Sequence, residues 1–219
     1  DFRFPTGAVE KERTVSLNAG GVIEDEASLR AYPWPEPEDF PMDRLDAGAK
    51  LLPPGMKMIV WGPGGVLENA VSLVGYENLC YLLADDPDVA RAVFDGVGAR
   101  LLRYYELAAP HPAVGALISN DDWGFNTQTL LSPDDLRAYV FPWHKRIVEA
   151  IHAQGKPAIL HSCGNLAAVM DDVIDDMGYD GKHSYEDGIL PVEEAYRRYG
   201  GRIAVLGGVD MDFLCRCAP

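Results

Sequence analysis

The stretch Pro157-Ala158-Ile159-Leu160-His161-Ser162-Cys163-Gly164-Asn165 decides the fold. Its first four residues are a short apolar run. Polar, chemically able side chains follow at once, and then a glycine that lets the backbone turn away. Read as a buried strand ending at Leu160, it puts His161 and Cys163 at the strand's C-terminal end. The same sentence recurs along the chain. Met58-Ile59-Val60-Trp61 runs into Gly62-Pro63-Gly64-Gly65, and Ala113 to Ile118 runs into Asn120-Asp121-Asp122-Trp123-Gly124. Tyr179 to His183 leads to Glu186, and Ile203 to Leu206 leads to Gly207-Gly208-Val209-Asp210.

Helical stretches separate these runs. They are expected at 66–84, at 88–109 behind Pro87, at 132–154 behind the cap Ser132-Pro133-Asp134-Asp135, from Asn165 to Met177, and over 191–199. Pro142 should kink the third of these, and Gly155 should close it. Short apolar strands alternating with helices mean a parallel sheet covered by helices. No GxGxxG follows a strand, which lowers the dinucleotide-binding reading. Five successive strand ends carrying polar residues instead describe the active-site face of a (β/α)8 TIM-type barrel. Five strands are fewer than eight, so the barrel should be incomplete.

Residues 1–55 read differently. Arg13 to Leu17, Ala19-Gly20-Gly21 and Val22-Ile23-Glu24 suggest a hairpin, and Tyr32-Pro33-Trp34-Pro35-Glu36-Pro37 an extended piece. This segment is taken as an irregular excursion of the same domain, with the partial barrel over 56–219.

Composition narrows the function. The chain has 219 residues, with Lys+Arg 19 against Asp+Glu 34, a net charge of −15. Such a balance repels phosphate backbones, which argues against nucleic acid and anionic membranes as partners. No apolar run approaches the roughly 18 residues of a membrane span, and no signal peptide is visible. Four cysteines, Cys80, Cys163, Cys215 and Cys217, fit no disulfide framework and point to a reducing cytoplasm. An open sheet edge predicts self-association, as a homodimer or as aggregate.

In an extended strand, residues two apart face the same way, so His161 and Cys163 aim together into the barrel mouth. Imidazole and thiolate side by side suit zinc, which takes nitrogen and sulfur tetrahedrally. A core histidine beside a buried structural cysteine gives the same pattern, and a third ligand is required. Glu186 and Asp210 are candidates to complete the set, as ligand, supporting partner or general base; either can also be a helix cap. Asp121 and Asp122 repel each other, and one can bind a substrate group or take a proton; a solvated loop is the other reading. Trp61 and Asn165 are candidate cofactor contacts at the rim. Cys215-Arg216-Cys217 is a weaker metal pair, because i and i+2 do not share a helix face. His144 reads as structural or exposed.

From about Trp34 to Pro219 the sequence resembles the uroporphyrinogen decarboxylase superfamily, and within it the zinc- and corrinoid-dependent methyltransferase branch. Gly75-Tyr76-Glu77-Asn78-Leu79, Asp121-Asp122-Trp123-Gly124, Leu131-Ser132-Pro133, His161-Ser162-Cys163-Gly164-Asn165 and Gly207-Gly208-Val209-Asp210 carry the likeness. The resemblance implies a (β/α)8 barrel with its site at the strand C-termini. It implies that His161 and Cys163 match the branch's zinc ligands, with a further cysteine ligand beyond Pro219. It implies methyl transfer between a corrinoid, carried on a separate protein, and a thiol or methylated small molecule. The decarboxylase branch, which holds a porphyrinogen with an N-terminal arginine-rich motif and an aspartate, is the alternative; that arginine motif is not found here. A barrel that only binds a ligand is the second alternative.

Overall fold

A computed structural model describes residues 21–209 and 213–217 of the chain. Among these described residues five strands form one sheet: β1 (Met58–Trp61), β2 (Val114–Asn120), β3 (Ala158–His161), β4 (Gly181–His183) and β5 (Ala204–Val205). They lie side by side in chain order, and each neighbouring pair is parallel. Helices fill every crossover. Val66–Val74, Tyr76–Asp85 and Pro87–Ala108 join β1 to β2, and Phe141–His152 leads back to β3. Asp172–Asp176 precedes β4, and Val192–Tyr199 precedes β5. This is the expected α/β class, five consecutive units of a (β/α)8 barrel.

The two faces of the sheet differ. Leu117, Ala158 and Leu160 point to the helix layer and are fully buried. The other face, which a closed barrel turns inward, carries Ile59, Trp61, Ile118, Asn120, Ile159, His161 and His183 by strand alternation and register. At β1 this face is open, with Ile59 60% and Trp61 47% exposed.

The helices depart from expectation at identifiable residues. The stretch 66–84 is two helices, broken at Gly75 (φ 84°). Ser132 caps its helix as expected, accepting from the Asp135 N–H at 3.1 Å. Instead of a simple kink at Pro142, the backbone runs as a π-helix over Leu136–Val140 and resumes α geometry at Phe141. Proline has no N–H to give the preceding turn, and the wider π spacing absorbs the loss. The helix expected from Asn165 is reduced to turns and the π-helix Asp172–Asp176. β5 shrinks to two residues.

Of the N-terminal excursion, residues 1–20 lie outside the described residues, and with them most of the expected hairpin. Val22 and Ile23 donate to the Leu73 carbonyl and form no strand. Tyr32 to Glu36 is extended, as the alternating prolines require. Two short helices flank it, Glu26–Ala31 and Asp43–Ala49. The first is set by a capping box in which Asp25 and Ser28 bond reciprocally. The segment clasps the helix Pro87–Ala108: Trp34 lies under the Arg100 guanidinium, 4.6 Å from ring centroid, and Phe40 meets Tyr104 edge-on.

Candidate functional site

The C-terminal ends of β2 and β3 bring three donors together. One ligand atom each from Asp122, His161 and Cys163 falls within 4.8 Å of the others. His161 Nε2 lies 3.7 Å from Asp122 Oδ1 and 3.8 Å from Cys163 Sγ. The same Asp122 oxygen accepts the Cys163 N–H at 2.8 Å, so the carboxylate fixes the loop that carries the thiol. Gly164, at φ 87°, then turns the chain so tightly against Gly124 that a Cβ would sit 2.2 Å from the Gly124 carbonyl. The Asn165 N–H closes this contact by donating to the Phe125 carbonyl.

The imidazole is oriented from behind. His161 Nδ1 lies 2.7 Å from His183 Nδ1, a bond made possible by register, since the two residues are paired across β3 and β4. Trp61 lies against the His161 ring, centroids 5.0 Å apart. Burial pushes the His161 pKa down, opposed by Asp122, and pushes the Cys163 thiol up. His183 is likewise lowered by burial, then by Lys182. Without a metal, both rings favour the neutral form and the sulfur favours the thiol.

Asp121 does not join this cluster. β2 alternation turns it to the helix side, where it is fully buried. The Leu67 and Glu68 N–H groups donate to its two oxygens at 2.9 Å each, and His144 Nε2 lies 2.9 Å away. It caps the helix Val66–Val74 and cannot reach the barrel mouth. His144, expected to be structural or exposed, is fully buried; its Nδ1 lies 2.7 Å from the Tyr179 hydroxyl and 3.1 Å from Ser119 Oγ. Beside the cap sits Glu68, whose carboxylate accepts from the Gly65 N–H at 2.8 Å and from Asn120 at 3.2 Å. Burial, then Asp121 and Asp122, raise its pKa to about 7.

The remaining candidates are placed as follows. Glu186 is exposed and accepts the Gly164 N–H at 3.1 Å, so it supports the loop from outside the donor set. Asn165 bridges two loops, accepting from the Ala167 N–H at 3.1 Å and donating to the Thr127 carbonyl at 3.5 Å. Trp61, 47% exposed, presents an open surface at the rim. Asp210 lies outside the described residues. Cys215, on the π-helix Phe213–Cys217, is exposed and belongs to no donor group among the described residues. Sequence reasoning missed the role of His183 and the depth of His144. The signal for His183 was its place at the end of the run following His161.

Among the described residues no helix is long and apolar enough to cross a membrane. Comparison with known proteins places the geometry in context. Residues 52–219 match the family model described as uroporphyrinogen decarboxylase (URO-D). The chain is 31% identical over 157 residues to the uroporphyrinogen decarboxylase of Anaeromyxobacter sp. (strain Fw109-5), covering 71% of this chain and 42% of that one. It is 29% identical over 202 residues to that of Anaeromyxobacter dehalogenans (strain 2CP-C), covering 89% and 56%. The chain therefore spans about half the length of the relatives it matches. Among solved structures, a methyltransferase from Methanosarcina mazei superposes with a TM-score of 0.64 at 17% identity, over 89% of this chain and 53% of that one, a likeness of fold. With most of its length inside the family model and a relative above 30% identity, this chain belongs to the uroporphyrinogen decarboxylase (URO-D) family.

Proposed function

We propose that this chain is the metal-holding part of a methyltransferase. In this reading Asp122, His161 and Cys163 hold one zinc ion, and the enzyme moves a methyl group between a corrinoid on a partner protein and a thiol or methylated small molecule. The observation that carries it is the convergence of a carboxylate, an imidazole and a thiol within 4.8 Å on the inner face. These are the hard, borderline and soft donors zinc accepts, and three protein ligands leave the fourth position of a catalytic site for substrate. The carboxylate stands where the sequence favoured Glu186 or Asp210.

Bound zinc would keep a coordinating substrate thiol deprotonated at neutral pH. The chain's own residues do the rest. His183 holds the His161 ring so that Nε2 faces the cluster. Asp122 holds the Cys163 backbone. Trp61 offers a flat apolar surface beside His161, suited to a methyl group or to the face of a macrocycle.

A second reading, a cofactor-free decarboxylase, is favoured by the names of the two Anaeromyxobacter relatives. In it a carboxylate stabilises a protonated pyrrole. Only Asp122 could act, since Asp121 is sealed behind the sheet. Zinc titration into the full-length protein separates the two. The methyltransferase reading expects one zinc per chain, bound far more weakly by Cys163→Ala and unchanged by Cys215→Ala. Equal binding by parent and Cys163→Ala, or failure of Cys215→Ala instead, would move the decarboxylase reading ahead.

A further inference from the structure

The loops after β3 and β4 line a partly open cavity of about 170 Å³ against the helix Val192–Tyr199. It lies on the helix side of the sheet, opposite the face that carries His161 and His183. Lys182, whose side chain alternation turns to that side, lines it and is 3% exposed. Its Nζ donates to the Ser184 carbonyl and lies 4.2 Å from the Tyr185 ring centroid. Among the described residues no carboxylate forms an ion pair with it. Tyr185 also lines the cavity, and its buried hydroxyl has no hydrogen-bond partner. At the rim stands Arg198, held by Glu194 at 2.7 Å. One acid, Glu186, reaches the lining, and one of its oxygens already accepts from Gly164.

A buried ammonium with unused donors and a buried hydroxyl without a partner each carry a desolvation penalty. Both are relieved by the same kind of ligand: one with negative charge and at least two acceptor oxygens. The cavity has room for a small anion beside these groups. In a chain of net charge −15, a concavity with two cations and one engaged acid is a local exception.

We propose that this cavity is an oxyanion site, taking the carboxylate or phosphate of a small molecule, with Lys182 as counter-charge, the Tyr185 hydroxyl as donor and Arg198 at the rim. Asp122, His161 and Cys163 do not line it, although Lys182 lies within electrostatic reach of Cys163 and Asp122.

The test is calorimetric titration of the full-length protein with inorganic phosphate and, separately, with acetate, at ionic strength matched by sodium chloride. The parent binds one anion per chain, and the tighter of the two arms tells a phosphate site from a carboxylate site. Lys182→Met weakens binding by about tenfold or more, as expected for loss of a charge-assisted partner. Tyr185→Phe, which keeps the ring, weakens it several-fold and decides the matter if Lys182→Met fails to fold. Cys163→Ala binds the anion like the parent while its zinc binding falls. Heats no larger than those of chloride in both arms overturn the proposal. So does parent-like binding by Tyr185→Phe together with Lys182→Met, or loss of anion binding in Cys163→Ala, which would put the anion on the metal cluster.

Discussion

The Nδ1 atoms of His161 and His183 lie 2.7 Å apart, so one ring donates and the other accepts. The pairing occupies one nitrogen of the His161 imidazole and leaves the other, Nε2, directed at Asp122 and Cys163. A ligand histidine held through its other nitrogen is fixed in tautomer and orientation before a metal arrives. The fold supplies this through register alone, because parallel neighbours β3 and β4 end together at these two residues.

His183→Ala should therefore lower zinc affinity by about 10–100-fold, although it removes none of the three donors. His183→Asn, which can still bond the His161 ring, should recover part of the loss. Competition against a chromophoric chelator reads both, and the melting temperature separates a loosened ring from a damaged fold. Zinc binding by His183→Ala as tight as the parent's would show that His161 is held by Trp61 and its strand alone.

Asp121 is expected to matter for stability. Truncation to alanine leaves the Leu67 and Glu68 N–H groups and His144 Nε2 without their buried acceptor. Lost capping and unpaired buried donors together predict a destabilisation of about 3 kcal/mol, read by urea denaturation. Zinc affinity of the folded fraction should stay at the parent value. A drop in affinity without a drop in stability would return Asp121 to the site.

These two adjacent acids mark the limit of what the sequence could say. The sheet was legible because Met58 to Trp61, Ala158 to Leu160 and their counterparts are apolar runs ended by polar or glycine residues. The period of two also joined His161 to Cys163. The division of labour between Asp121 and Asp122 was not legible. It depends on which face of β2 each continues, and that parity is set by pairing with a strand some forty residues away. His144 was opaque for the same reason, since its partners Asp121 and Tyr179 come from two other elements. Residues 26–31 and 43–49 were not read as helices, being too short to show a period.

Glu68 gives the stability a pH dependence of definite sign. Its folded pKa is about 7 against a reference of 4.5, so between these values the folded protein holds a proton that the unfolded chain has released. The associated stability is fully present below about pH 4.5 and is lost as pH rises through 7. Glu68→Gln, which cannot ionise, should stabilise the chelator-treated protein at pH 8 by of order 2 kcal/mol and by much less at pH 5. Melting curves of parent and variant at the two pH values check it. An equal effect at both would mean that Glu68 ionises as it does in water.

Gly164→Ala tests whether the donor cluster depends on backbone shape as well as on its ligands. The substitution demands φ near 87° from a residue with a Cβ, which costs about 1–2 kcal/mol. It also drives that Cβ to within 2.2 Å of the Gly124 carbonyl, a backbone contact that no side-chain rotation relieves. The loop must then move, and with it the bonds from Cys163 N–H to Asp122 and from Gly164 N–H to Glu186. Zinc affinity should fall about as far as in Cys163→Ala, with every ligand still present. Gly155→Ala is the control, because Gly155 also has positive φ, at 64°, but a Cβ there meets nothing within 4 Å. It should lose about 1 kcal/mol of stability and keep its zinc. If Gly164→Ala melts like Gly155→Ala and binds zinc like the parent, the close approach of Gly124 and Gly164 does not shape the cluster.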